Sequence, residues 1–304
     1  MRKSLIAGIL AVAALSITPF ALAQIQIARS TGGQLEGVVA DGVTSFKGIP
    51  FAAPPVGDLR WKPPQPVAPW DEPRACTEFG GSCPQVGAEE SMLDLAALAV
   101  GAVSEDCLYL NVWSPADSAD EELPVMVWIH GGSFESGSGS MAIYDGGNLA
   151  TKGVVVVSIN YRLGPLGFLA HPALSAESAD GVSGNYGLLD QIAALQWVRT
   201  NIAGFGGDPA NVTVFGESAG AISILDLLVS PTAEGLFDRA IAQSGILLDH
   251  GFGVTTAVTL ETGETAGEDY AAYLDLDPSG DVLAQMRAKT ADELVQAASA
   301  YATG

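Results

Sequence analysis

Two apolar runs constrain the fold more than anything else in this chain. Val125-Met-Val-Trp-Ile129 and Val154-Val-Val-Val-Ser-Ile159 are almost unbroken in aliphatic residues, and Asn211-Val-Thr-Val-Phe215 follows downstream. A strand with one wet face alternates polar and apolar residues, whereas a continuous run belongs to a strand covered on both faces. Leu188 to Ile202 carries apolar residues at helical spacing with Gly204 just beyond, so it predicts a helix. After Val212 the pattern predicts a helix from Ser218, a short strand over Arg239 to Gln243, and helices near Glu268 to Leu274 and Ala291 to Tyr301. Strands alternating with helices predict an α/β fold, a mostly parallel central sheet with crossover helices. The N-terminal third differs: Val38 to Phe46 and Leu108 to Trp113 read as strands, separated by the proline-rich, irregular stretch Pro50 to Pro73. No internal repeat is present, and Gly137-Ser-Gly-Ser140 is too short for a linker.

With 48% hydrophobic and 16% charged residues the chain buries a sizeable core, which excludes general disorder. Residues 1–23 have a basic start, an apolar stretch and Ala21-Leu-Ala23, the pattern of a secretory signal, with an uncleaved membrane anchor as the competing reading. Export places the mature chain outside the cytoplasm, secreted or periplasmic, and no later stretch is long and apolar enough to span a bilayer. Removing Arg2 and Lys3, with no acid among those residues, takes the net charge from −22 to about −24. Such a surface disfavours nucleic acid and anionic lipid as partners. Cys76, Cys83 and Cys107 allow one disulfide and one thiol, and their spacing alone does not choose the pair. His130, His171 and His250 stand in no zinc-ligand spacing, so no metal is expected.

The chemistry concentrates at Gly216-Glu-Ser-Ala-Gly220. A G-x-S-x-G sequence is weak by itself, but here it sits between an apolar strand and a helix. That context lifts a serine oxygen out at the carboxyl edge of a sheet and aims the helix N-terminus at any anion formed there. His130-Gly-Gly-Ser-Phe134 follows the Val125 strand, where a second set of backbone donors is expected. The amides of Gly131, Gly132 and Ala219 are the candidate oxyanion donors, each typically worth about 2.7–4 kcal/mol of transition-state stabilisation. A plain glycine turn is the alternative. No Gly-Lys-Ser/Thr or G-x-G-x-x-G accompanies these glycines, which excludes a phosphate cradle.

Together these residues resemble the type B carboxylesterase branch of the α/β hydrolases, which includes the cholinesterases. Glu105-Asp-Cys-Leu-Tyr-Leu-Asn111, Asn160-Tyr-Arg-Leu-Gly164, Gly184-Asn-Tyr-Gly-Leu-Leu-Asp-Gln191 and Phe205-Gly-Gly-Asp-Pro209 join the two site motifs in family order, over residues 24–304. The resemblance implies that Ser218 is the acylated nucleophile and that Gly131, Gly132 and Ala219 form the oxyanion hole. It also implies that Cys83 pairs with Cys107 around a loop over the pocket, leaving Cys76 free. Arg60 with Glu105 and Arg162 with Asp190 resemble structural ion pairs. Glu217 is either a solvated neighbour of the turn or a pocket carboxylate that tunes local charge.

A serine nucleophile needs a base, and the base needs an orienting carboxylate. In this fold their order is Ser, then Asp or Glu, then His. Only His250 follows Ser218, immediately after the strand ending at Gln243, which is too early for the family's histidine. The triad acid and histidine are therefore expected beyond residue 304, and residues 24–304 read as the N-terminal part of a longer hydrolase, inactive alone. Asp249 with His250 as a local substitute is the weaker alternative. His130 is expected to brace its loop through its ring, and His171 to be a surface or packing residue. The loop around Met92-Leu-Asp-Leu-Ala-Ala-Leu-Ala-Val100 lacks the tryptophan with which cholinesterases hold a quaternary ammonium, which disfavours choline esters and suits neutral acyl or alkyl groups. Asn211-Val-Thr213 matches a glycosylation sequon at the start of a buried strand and is read as chance. The expected function is secreted hydrolysis of small-molecule carboxylic esters without a cofactor. A non-catalytic adhesion module of the same fold is the alternative, disfavoured by the presence of Ser218.

Overall fold

The computed structural model describes residues 24–86, 99–245 and 258–303. The signal-like residues 1–23, most of the Met92–Val100 stretch, and Asp249 with His250 lie outside the described residues.

The strands are β1 (Ile27–Ser30), β2 (Gly33–Glu36), β3 (Val38–Ala40), β4 (Val43–Pro50), β5 (Arg74–Ala75), β6 (Tyr109–Ser114), β7 (Leu123–Ile129), β8 (Val155–Ile159), β9 (Gly207–Glu217) and β10 (Arg239–Gln243). The helices are α1 (Gly147–Ala150), α2 (Gly164–Phe168), α3 (Pro172–Glu177), α4 (Tyr186–Asn201), α5 (Ala219–Val229), α6 (Leu260–Tyr273), α7 (Val282–Ala288) and α8 (Ala291–Thr303).

One sheet carries seven of these strands in the order β10-β9-β7-β8-β6-β4-β3. The β10/β9, β9/β7 and β7/β8 pairs are parallel, and the β8/β6, β6/β4 and β4/β3 pairs are antiparallel. The sheet is thus mixed, and its parallel half contains the continuous apolar runs. β8 is buried at every residue. Val125, Val127 and Ile129 of β7 join Val155, Val157 and Ile159 of β8 and Val212 and Val214 of β9 in the main core, covered by Leu195 and Val198 of α4 and Ile224 and Leu227 of α5. Burying each such aliphatic side chain contributes about 1.5–3 kcal/mol, which is why polar residues are so sparse in these runs.

Two expected boundaries differ. Val38 to Phe46 is not one strand: Asp41 (φ 50°) and Gly42 (φ 80°) take left-handed conformations and turn β3 back onto β4. An Asp-Gly pair with φ positive at both positions is the favoured two-residue hairpin turn. The helix expected near Glu268 to Leu274 starts eight residues earlier, at Leu260, with Thr259 Oγ1 accepting from the Thr262 N–H at 3.2 Å. Its first turns are polar and exposed, so apolar spacing does not reveal them.

A second core joins Trp61 to Leu166, Leu174, Tyr186, Tyr270, Met286 and Leu294, packing α6, α7 and α8 against the α2–α4 region. Arg60 fixes this union. Its guanidinium donates to Glu105 (2.8 and 2.6 Å) and, through Nη1, to the Lys289 carbonyl at the end of α7 (2.7 Å). A disulfide joins Cys83 to Cys107, and Cys76 is a buried free thiol.

Candidate active site

The parallel register assembles the site. Ile129 at the end of β7 lies opposite Gly216 in β9, and Gln243 at the end of β10 lies opposite Glu217. The segments that follow β7 and β9 therefore leave the sheet side by side at its carboxyl edge, where ligands of open α/β sheets bind.

Ser218 is half-buried and sits between β9 and α5 at φ 54°, ψ −119°, a conformation L residues rarely adopt. Its N–H donates to the Gln243 carbonyl (2.9 Å), and its carbonyl accepts from the Ile222 N–H (3.0 Å). Both ends of the strained residue are thereby held, and α5 begins at Ala219 rather than at the serine. The Ser218 hydroxyl has no hydrogen-bond partner among the described residues. The bend depends on Gly220, since a Cβ there would collide with the carbonyl oxygen of Ile129.

Gly131 lies directly against the serine. A Cβ at this position would stand 2.7 Å from the Glu217 carbonyl oxygen and 3.1 Å from the Ser218 Cβ. Gly132 continues at φ 109°, followed by Ser133 and Phe134 at φ 56° and 62°. The turn is closed by the N–H groups of Glu135 and Ser136, both donating to the Gly132 carbonyl at 2.9 Å. Phe134 anchors it through its carbonyl, which accepts from Gly164 N–H (2.7 Å), and through its ring, edge-on to Phe168 at 5.1 Å. Among the described residues the amides of Gly131, Gly132 and Ala219 donate to no protein acceptor, and Ala219 opens a helix whose first N–H groups have no intrahelical partner.

His130 is buried beneath this loop. Its ring stacks on Tyr161 (4.4 Å, 17°), its Nδ1 is 2.8 Å from the Gly131 carbonyl oxygen, and the Tyr161 hydroxyl donates to the His130 carbonyl (2.8 Å). Burial pulls its pKa down to about 4, so the ring is neutral near pH 7. It braces the loop through its ring, as expected, and makes no hydrogen bond to the serine hydroxyl. His171 is also buried and packs at the start of α3, where its Nδ1 accepts from the Ala173 N–H (3.1 Å).

Several contacts around the site have no counterpart in sequence periodicity. Gln85, two residues after Cys83, clasps Gly137 twice: its Nε2 donates to the Gly137 carbonyl (2.9 Å) and its Oε1 accepts from the Gly137 N–H (2.8 Å). The disulfide-bearing segment is thereby fastened to the loop that follows β7. Asn160 accepts from Gly139 N–H (2.8 Å) and donates to the Gly81 and Cys107 carbonyls (3.0 and 3.1 Å). Arg162 grips the fully buried Asp190 with Nε and Nη2, both at 2.7 Å, so Asp190 serves as a structural partner on α4. Glu217 is exposed at the end of β9 beside Gly131; burial first, and then the Glu217 charge, raises the pKa of the Tyr144 hydroxyl. The signals that could have found Gln85 and Tyr161 were their places in Ser82-Cys-Pro-Gln85 and Asn160-Tyr-Arg-Leu-Gly164; Tyr144 gave none. Among the described residues no group of His, Cys, Asp and Glu is arranged to hold a metal, and no helix is long and apolar enough to cross a membrane.

Residues 23–303 match the sequence model of the carboxylesterase family. The chain belongs to the carboxylesterase family. Among curated members of that family it is 46% identical over 275 residues to the para-nitrobenzyl esterase of Bacillus subtilis, covering 90% of this chain and 52% of the relative. It is 56% identical over 218 residues to the fumonisin B1 esterase of Sphingopyxis macrogoltabida, covering 72% of this chain and 39% of the relative. A solved PNB esterase superposes with a TM-score of 0.80 at 43% identity, covering 91% of this chain and 54% of that one. The family's α/β-hydrolase fold is therefore the fold of this chain, and the chain spans about half the length of the carboxylesterases it matches.

Proposed function

We propose that the protein is a secreted carboxylic ester hydrolase in which Ser218 forms an acyl-enzyme. The observation that carries this reading is the strained Ser218, its hydroxyl without a partner among the described residues, held against Gly131 at the carboxyl edge of the sheet. In the first step Oγ attacks the ester carbonyl, a base takes the hydroxyl proton, and that proton goes to the departing alcohol. Water then attacks the acyl-serine, and the carboxylic acid leaves as Oγ regains its proton. The negative charge on each tetrahedral oxygen is met by the amides of Gly131, Gly132 and Ala219, aided by the positive end of α5. Glu217, beside Gly131, tunes the charge of the pocket.

The base and its orienting acid come from chain beyond residue 304, and residues 1–304 alone turn over no ester. The support is that the para-nitrobenzyl esterase matched is about twice as long as this chain. The test is hydrolysis of p-nitrophenyl butyrate by the full protein. Ser218→Ala is expected to lower kcat by at least about 10³-fold. An alanine variant that keeps the parent rate rejects the assignment, and serine-dependent turnover by residues 1–304 alone rejects the external base.

A further inference from the structure

A cavity of about 540 Å³ is lined by Ser133, Phe134 and Glu135 from the loop after β7 and by Ser223 and Asp226 of α5, the helix that begins just after Ser218. Phe134, from the loop that begins at Gly131, forms one wall with Phe168, and Tyr270 of α6 and Tyr301 of α8 form another. The two ring pairs meet edge to face, with centroids 5.1 and 6.3 Å apart. Into this aromatic chamber the chain places two carboxylates, Asp226 and Glu135, and among the described residues no lysine, arginine or histidine lines it.

Asp226 is the unexpected group. It is the single charged residue of α5, whose other residues are apolar or small apart from Ser223. The side chain is half-buried, burial raises its pKa, and it has no hydrogen-bond or ion-pair partner among the described residues. A carboxylate in such a place costs stability unless something meets its charge. The packing of α5 needs no carboxylate there, since the helix is already buried through Ile224 and Leu227. At 1.5 Å rise per residue, Asp226 stands about 12 Å along α5 from Ser218.

Aromatic faces attract cations, and two carboxylates with no opposing positive group among the described residues give the chamber a negative potential. We propose that this cavity receives the cationic end of the substrate, an ester carrying a protonated amine about 12 Å from its reacting carbonyl, with Asp226 as the residue that pairs with the ammonium. This assignment of substrate class rests on Ser218 being the nucleophile, which fixes where the reacting carbonyl lies. Glu135, on the exposed lip, adds longer-range attraction.

The test uses the full protein carrying Ser218→Ala, titrated calorimetrically with octylammonium and with 1-octanol, so that no turnover enters the reading. Octylammonium is expected to bind at least tenfold more tightly than 1-octanol. Adding Asp226→Asn, which keeps the side-chain shape, is expected to abolish that preference with an unchanged melting temperature, whereas Glu135→Gln reduces it in part. Equal affinity for the two probes, or a preference that survives Asp226→Asn, overturns the proposal while leaving the role of Ser218 untouched. Ester hydrolysis that survives Ser218→Ala in the absence of any bound amine overturns the nucleophile instead.

Discussion

Ser218 and His130 show how single residues are set for different duties by their surroundings. A serine at φ 54°, ψ −119° costs about 1–3 kcal/mol in backbone strain, offset here by hydrogen bonds at both its N–H and its carbonyl. His130 is held neutral by burial, and the sign of its pH effect follows. Its folded pKa of about 4 lies below the ordinary value near 6.5, so the unfolded chain binds the extra proton between those values. Its stabilising contribution is complete above about pH 6.5 and is lost as pH falls through about 4, up to about 3 kcal/mol. Glu177, held down to about 2 first by its hydrogen bonds to Arg287 and also by Lys62, contributes above about pH 4.5 and is lost toward pH 2, a separate window. Thermal melts at pH 7.5, 5.5 and 4.5 are expected to show a falling melting temperature across all three. A flat profile between pH 7.5 and 4.5 contradicts the placement of His130.

Among the elements, β10 is the one with most surface to lose. Among the described residues it pairs with β9 alone, all five of its residues are exposed, and Ile241 is 45% exposed. An open edge with an apolar residue on it is a template for pairing with another chain. Residues 1–304 alone are expected to associate in solution, and Ile241→Lys is expected to shift them toward monomer in light scattering. An equally aggregated lysine variant would locate the sticky surface elsewhere. β10 was legible in the sequence residue for residue; β7 and β8 were nearly so because their burial leaves little choice but aliphatic side chains. The helix over Leu188 to Ile202 was legible within two residues, since α4 keeps its apolar spacing. The early turns of α6 were not, because they face solvent. The Asp41-Gly42 turn carried a hairpin signal that the apolar run around it obscured. At the site, the serine elbow and the glycine loop were written in short motifs, whereas the Gln85 clasp, the Tyr161 stack and the Asp226 chamber depend on segments that meet only in the fold.

At the scale of the whole molecule, the N-terminal segments act as straps around the sheet edge where the site lies. Cys83 and Cys107, 24 positions apart, close a loop whose cross-link stabilises by about 3 kcal/mol in the chain-entropy picture. Gln85 and Asn160 then fix that strap to the turn after β7, and Arg60 with Glu105 joins it to α7. The β7 loop, the β9 elbow and the aromatic chamber are thus held by neighbours from distant parts of the sequence, which is the rigidity an oxyanion site requires. The most direct test of the central claim is to treat the full protein with diethyl p-nitrophenyl phosphate and map the modified peptide by mass spectrometry. One diethylphosphoryl group is expected, on Ser218, with ester hydrolysis lost in proportion to its incorporation. Complete inactivation with the label on another residue, or full activity with Ser218 labelled, would contradict it.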